Sequence, residues 1–255
     1  MSEANNNAIG KNSRKNVLLF ALALSIICSL LITAAAVGLK GFQRANQSLD
    51  KKVNILKAAD LIGKKKPSKE QINELYDSHI KEVMVDSRGK ILDTYAPNSL
   101  TLYLFRSDGM IKGYILPINT RGLWGKIHGY LAFETDGQTV SGFSVFSHSE
   151  TPGLGGEIES AWFQKNFKGK KIVNSQNKFV SVGIAKGKAE NLPKDKQANY
   201  VDGISGATLT GRFLSEGIKQ TLIQYDAVSI NFRQGKLKTL KDDHSIRADN
   251  RNKDQ

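Results

Sequence analysis

One short stretch holds the residues best suited to chemistry: Asp202-Gly203-Ile204-Ser205-Gly206-Ala207-Thr208. Gly203 and Gly206 allow the backbone to turn and to approach a ligand closely. Ser205 is of the type that caps helices, and from Ala207 onward Leu209, Phe213 and Leu214 recur at helical spacing. Thr208 is therefore expected in a first helical turn. Its hydroxyl would lie beside free backbone N–H groups and the positive end of the helix dipole, a seat suited to phosphate. A plainer reading stands beside this one, with Ser205 only a cap and Thr208 a filler.

Two further strings lie upstream. Glu150-Thr151-Pro152-Gly153-Leu154-Gly155-Gly156 is a turn-rich loop, and Arg121-Gly122-Leu123-Trp124-Gly125 is an aromatic loop flanked by glycines. Together with the first stretch, and in this order, they resemble the FMN-binding domains of respiratory electron-transfer complexes over residues 83–225. The 202–208 string resembles the flavinylation signature of that family, whose last Thr accepts FMN as a phosphoester. The resemblance thus implies a covalent FMN on Thr208, with Ser205, Gly206 and Ala207 around it. Glu150, Thr151, Leu154 and Gly155 match the flavin-contacting loop. Leu123 and Trp124 match a similar Gly-Leu-Trp segment; Trp124 would cover a flavin edge or, alternatively, plug the end of a sheet. Asp202 would be read by a separate flavin transferase that uses FAD and magnesium, although an Asx turn also accounts for it.

With one apolar segment in front, the resemblance is greatest to the flavin subunits of sodium-translocating NADH:quinone reductases. It implies an electron-relay subunit with no NADH site of its own, working with the other subunits of a bacterial inner-membrane complex, its soluble domain extracytoplasmic. Two other readings stay open. One is the homologous G subunit of ferredoxin-coupled complexes, which a neighbouring reading frame would distinguish; the other is a cofactor-free tethered binding module, which would be colourless.

The rest of the chain must anchor and position these residues. Val17 to Leu39 forms an uncharged run of 23 residues; at 1.5 Å per residue it spans a hydrocarbon core of roughly 30 Å. It exceeds a signal-peptide core, which favours an uncleaved transmembrane helix. The basic residues on its two sides, Lys11, Arg14 and Lys15 against Lys40, Arg44, Lys51 and Lys52, do not decide its orientation. No ionisable residue lies in the span, so an ion path through it alone is not expected.

The chain has 255 residues and a net charge of +13, with room for one core beside the anchor. Lysine is spread over loops and tail without a recognition helix, which argues against nucleic acid and for a solvated, lipid-attracted surface. Cys28, the single cysteine, excludes an intramolecular disulfide and a Cys-rich metal site. The four histidines are too scattered for zinc; His148, beside Glu150, is the one near the motifs. No glycine-rich dinucleotide fingerprint follows a strand.

The spacing predicts a tail over 1–16, the span over 17–39 and a helical stalk over 40–82. The stalk holds one helix over 48–62 and a second opened by a Ser68-Lys69-Glu70-Gln71 capping box and carrying Ile72, Leu75, Tyr76, Ile80 and Val83. From 83 to 232 the period shifts towards two. Hairpins are expected at Ser107-Asp108-Gly109 and Asp136-Gly137, a short helix over 158–167, strands near 172–173 and 179–184, and a final helix from Ala207 to about Tyr225. The class is α+β, an antiparallel sheet with flanking helices. Residues 233–255 read as a disordered tail.

Overall fold

The computed structural model describes residues 3–63, 67–92, 94 and 96–237. The tail from 238 onward, and much of the expected break over 63–67, lie outside the described residues. The first helix is α1 (Glu3–Ala58). No proline interrupts it, and Gly38 and Gly41 each cost only about 1 kcal/mol of propensity. Among the residues up to Ser48, the apolar side chains Val17, Leu18, Phe20, Leu30 and Ile32 are all exposed, the arrangement in which lipid covers them. The helix is long and apolar enough to cross a membrane.

From Leu49 the chain folds around a sheet. The last turns of α1 bury Ile55, Leu56 and Ala58 completely, and Ser144 Oγ donates to the Asn54 carbonyl at 2.9 Å. Helix α2 (Lys69–His79) opens with the expected capping box: Ser68 Oγ accepts the Gln71 N–H and Gln71 Oε1 accepts the Ser68 N–H. It stops at His79, so Ile80 and Val83, expected on this helix, lie in strand β1 (Ile80–Val85). β1 pairs along its full length with a later strand, and that ladder outcompetes one more helical turn.

The remaining strands are β2 (Ile91–Leu92), β3 (Leu100–Ser107), β4 (Met110–Arg121), β5 (Lys126–Glu134) and β6 (Val140–Ser147). They form one antiparallel sheet in the order β2-β1-β3-β4-β5-β6. Asp108 (φ 53°) and Gly109 (φ 71°) close the β3–β4 hairpin, as the primed turns of right-twisted hairpins require.

After β6 come a 3₁₀ turn (Gly155–Glu159) and helix α3 (Ala161–Lys165). The single helix expected over 158–167 is split at Ser160, whose hydroxyl caps α3 instead. The strands expected near 172–173 and 179–184 reduce to an isolated Val173–Phe179 bridge and β7 (Gly183–Ile184). Helix α4 (Lys194–Gln197) leads into β8 (Tyr200–Val201), which runs parallel to β7. Helices α5 (Thr208–Gln224) and α6 (Asp226–Arg233) are the last elements among the described residues.

The sheet has a core on each face. Tyr103, Ile115 and Tyr130 meet the end of α1 and α2 on one face. Leu104, Leu116 and Leu131 meet Leu214, Ile218 and Leu222 of α5 and Phe232 of α6 on the other. The fold is α+β, with α5 held against the middle of the sheet by its apolar stripe.

Candidate functional site

Strand β8 delivers Asp202 and Gly203 to the start of α5. Gly203 N–H donates to the Gly187 carbonyl at 2.7 Å, and a Cβ on Gly203 would fall 2.2 Å from the Ala185 carbonyl oxygen. Only glycine fits there. Asp202 Oδ1 accepts the Ala189 N–H at 2.7 Å; it ties down the preceding loop, which differs from the alternative of a forward Asx turn. Gly206 then adopts φ 74°, a left-handed turn natural to glycine.

That turn moves the helix start past Ser205. The cap position falls on Ala207, which makes no side-chain capping bond, and α5 begins at Thr208. Ser205 is therefore exposed and does not cap, contrary to expectation. The N–H groups of the first turn have no acceptor within the helix, no side chain caps them, and Thr208 is exposed beside them.

The 150–156 loop folds back on itself: the Thr151 carbonyl accepts the N–H of Leu154 at 3.2 Å and of Gly156 at 2.9 Å. Leu154 is 44% exposed, and a Cβ on Gly206 would come within 2.7 Å of its Cδ2, so this loop reaches the 202–208 turn. Trp124 is 70% exposed and does not plug the sheet; Leu123 beside it is exposed as well.

Glu150 behaves differently from its neighbours. It is only 4% exposed, accepts the Trp124 N–H at Oε1 (3.0 Å) and accepts the Thr210 hydroxyl at Oε2. Gly122 and Gly155 make room for it, since a Cβ on either would approach its carboxyl oxygens within 2.4 and 2.8 Å. Its own N–H donates to His148 Nδ1, which leaves the ring proton on Nε2, 3.2 Å from Glu159 Oε2. Thr210 was not singled out for the site, but the sequence carried a signal. Two residues along a helix is a rotation of about 200°, so an outward Thr208 puts Thr210 inward.

Thr208 also borders a cleft of about 430 Å³, lined on the β7 and β8 side by Ile184, Lys186 and Tyr200 and on α5 by Arg212 and, further along the helix, Glu216 and Lys219. Of these, Lys186 and Arg212 are the cations that could favour a phosphate at the uncapped helix start.

Comparison with known proteins adds a name to this geometry. Residues 122–223, which contain the 150–156 and 202–208 stretches and all of the aromatic loop but Arg121, match the FMN-binding domain family. The C subunit of the Na(+)-translocating NADH-quinone reductase of Vibrio vulnificus is 33% identical, over 82% of this chain and 89% of its own. The corresponding Pseudomonas aeruginosa protein is 32% identical, over 88% and 98%. The chain belongs to this family of C subunits. A crystal structure of the Parabacteroides distasonis member superposes with a TM-score of 0.65 at 29% identity, covering 75% of this chain and 96% of that one.

A cofactor of the kind named by the FMN-binding domain needs an anchor for its phosphate and a surface for its ring, and this member of the family offers both. The open N–H groups and exposed hydroxyl at Thr208 suit the phosphate. Gly206 holds the backbone back where a Cβ would meet Leu154, and the exposed Leu154 and Trp124 side chains offer apolar surface to a planar ring. Thr208, Gly206, Ala207 and Leu154 are brought together directly. Trp124 is joined to them through Glu150 and Thr210.

Proposed function

We propose that this chain holds FMN as a phosphoester on Thr208 Oγ1 and relays electrons through it. Membership of the family makes the chain a membrane-anchored FMN flavoprotein subunit of a sodium-translocating NADH-quinone reductase, an oxidoreductase complex. Once bound, FMN supplies the redox chemistry that side chains lack. The protein's own residues do the rest. Thr208 contributes the acceptor oxygen, and the first-turn N–H groups of α5 with Arg212 and Lys186 offset the phosphate charge. Leu154, with Leu123 and Trp124, shields the ring, while Thr151 and Gly155 shape the loop that carries Leu154.

A separate transferase, using FAD and magnesium, loads the chain: Thr208 Oγ1 bonds to the FMN phosphorus, the bond to AMP breaks, AMP departs and the hydroxyl proton goes to a base. Asp202, by pinning the 185–189 loop, presents the segment in the shape that enzyme reads. The partners are the membrane, the other subunits of the complex and the transferase; nucleic acid is not among them. The anchor lies in the bacterial inner membrane and the domain faces the extracytoplasmic side.

The uncapped, exposed helix start at Thr208 carries this reading. Co-expression of the full chain with a flavin transferase, followed by denaturing electrophoresis, tests it. Flavin fluorescence in the protein band is expected; a wild-type band that never fluoresces contradicts the reading.

A further inference from the structure

We infer that Glu150 is a positioning residue rather than a flavin contact, a buried carboxyl that locks the Trp124 loop and the first turn of α5 into one unit. The inference deepens the assignment of Thr208 and rests on it for the flavin readout alone. Its basis is a juxtaposition that the redox chemistry does not use. Glu150 is 4% exposed, and none of the ion pairs among the described residues involves it. A carboxyl in such a place is costly unless hydrogen bonds satisfy it. Its partners come from separate segments: the Trp124 N–H, from the turn between β4 and β5, at 3.0 Å and the Thr210 hydroxyl, from α5.

The surroundings are cut to admit this group. A Cβ on Gly122 would meet Oε1 at 2.4 Å, and one on Gly155 would meet Thr210 Oγ1 at 2.5 Å and Glu150 Oε2 at 2.8 Å. Glycine thus stands on both sides of the carboxyl. The Gly122–Gly125 turn is itself closed by a 2.6 Å N–H to carbonyl bond, so fixing the Trp124 N–H fixes the whole turn and aims the exposed indole. At the other end, Thr210 lies on the inward face of the same helical turn whose outward face carries Thr208. The first turn of α5 and the Trp124 loop are therefore held in register by one buried side chain. Deleting either bond leaves a buried polar atom unpaired and releases the indole loop from the helix.

The test uses the full chain in a Trp162→Phe background, which leaves Trp124 as its single tryptophan. Thr210→Val deletes the hydroxyl in a near-isosteric side chain, Thr210→Ser restores it, and Glu150→Ala removes both bonds. Two readouts need no flavin: hydrogen exchange of the Trp124 amide and fluorescence anisotropy of the indole. Thr210→Val should speed Trp124 exchange about fivefold, the equivalent of one buried hydrogen bond, and lower the anisotropy. Thr210→Ser should return both to wild-type values. In flavin-loaded protein, Thr210→Val should keep the covalent flavin yet shift its absorption spectrum.

Exchange and anisotropy at Trp124 unchanged in Thr210→Val overturn the inference, as does a failure of Thr210→Ser to restore them. If Glu150→Ala does not fold, the Val and Ser pair at 210 still decides. A wild-type chain that never acquires flavin refutes the Thr208 assignment while the exchange and anisotropy readouts still judge the lock. Flavin-loaded variants with an unshifted spectrum refute the lock and leave Thr208 standing.

Discussion

The starts of α2 and α5 are built in opposite ways. At α2, Ser68 and Gln71 exchange side-chain to backbone bonds. The Glu70 carboxyl is held below the usual carboxylate range by a backbone N–H and then by the Ser68 hydroxyl. At α5, Ala207 occupies the cap position with no side-chain bond, and the first turn carries no acid. A helix start that satisfies its own donors is a stability device. One that leaves them open beside an exposed hydroxyl is a receptor for an anion. α5 can leave its start open because Leu214, Ile218 and Leu222 bury its other face in the core.

The strongest way to break the contrast is Gly203→Ala, because the added Cβ would lie 2.2 Å from the Ala185 carbonyl oxygen; a loss of about 1–3 kcal/mol is expected in denaturant unfolding. Flavin loading should fall with it, since the same clash displaces the turn leading to Thr208. Next comes Ser68→Ala, expected to cost about 1 kcal/mol, while the matching Ser205→Ala should stay within about 0.5 kcal/mol because Ser205 caps nothing. Equal losses in the two would erase the distinction. Ala207→Ser gives α5 the kind of cap α2 has. It should stabilise the unloaded chain by about 0.5 kcal/mol and slow flavin attachment, as the new hydroxyl competes for the first-turn N–H groups.

The smallest expected effect is a pH dependence. The folded value of Glu70 is depressed, so its contribution to α2 is present above the ordinary carboxylate pKa and fades as pH falls through the folded value. The protection factors of the first-turn amides of α2, that is exchange relative to the intrinsic rate at each pH, should fall over that window and should not in Glu70→Gln.

What the sequence made legible was local. The capping box joins residues three apart, the hairpin turns join adjacent ones, and both are found where expected. Ser205 was misread because the left-handed Gly206 behind it moves the helix start to Thr208, and the residue string does not reveal the sign of that φ. Ile80 and Val83 fit a helical stripe as well as a strand, and only the pairing of β1 with β3 decides. Helix α6 was overlooked although Val228 and Phe232 stand four apart on its buried face. The Glu150–Thr210 bond spans sixty residues and belongs to tertiary packing. The glycines at 122 and 155 were visible, but not that both make way for one carboxyl.

Covalent attachment of FMN to Thr208 is tested most directly by peptide mass spectrometry of the full chain co-expressed with a flavin transferase. The added FMN mass is predicted on Thr208 and absent from Ser205 and Thr210. Thr208→Val, which keeps the β-branched shape and removes the oxygen, should fold and carry no covalent flavin. FMN mass on Ser205 or Thr210 in the wild type, or flavin fluorescence surviving denaturation of Thr208→Val, would contradict the account.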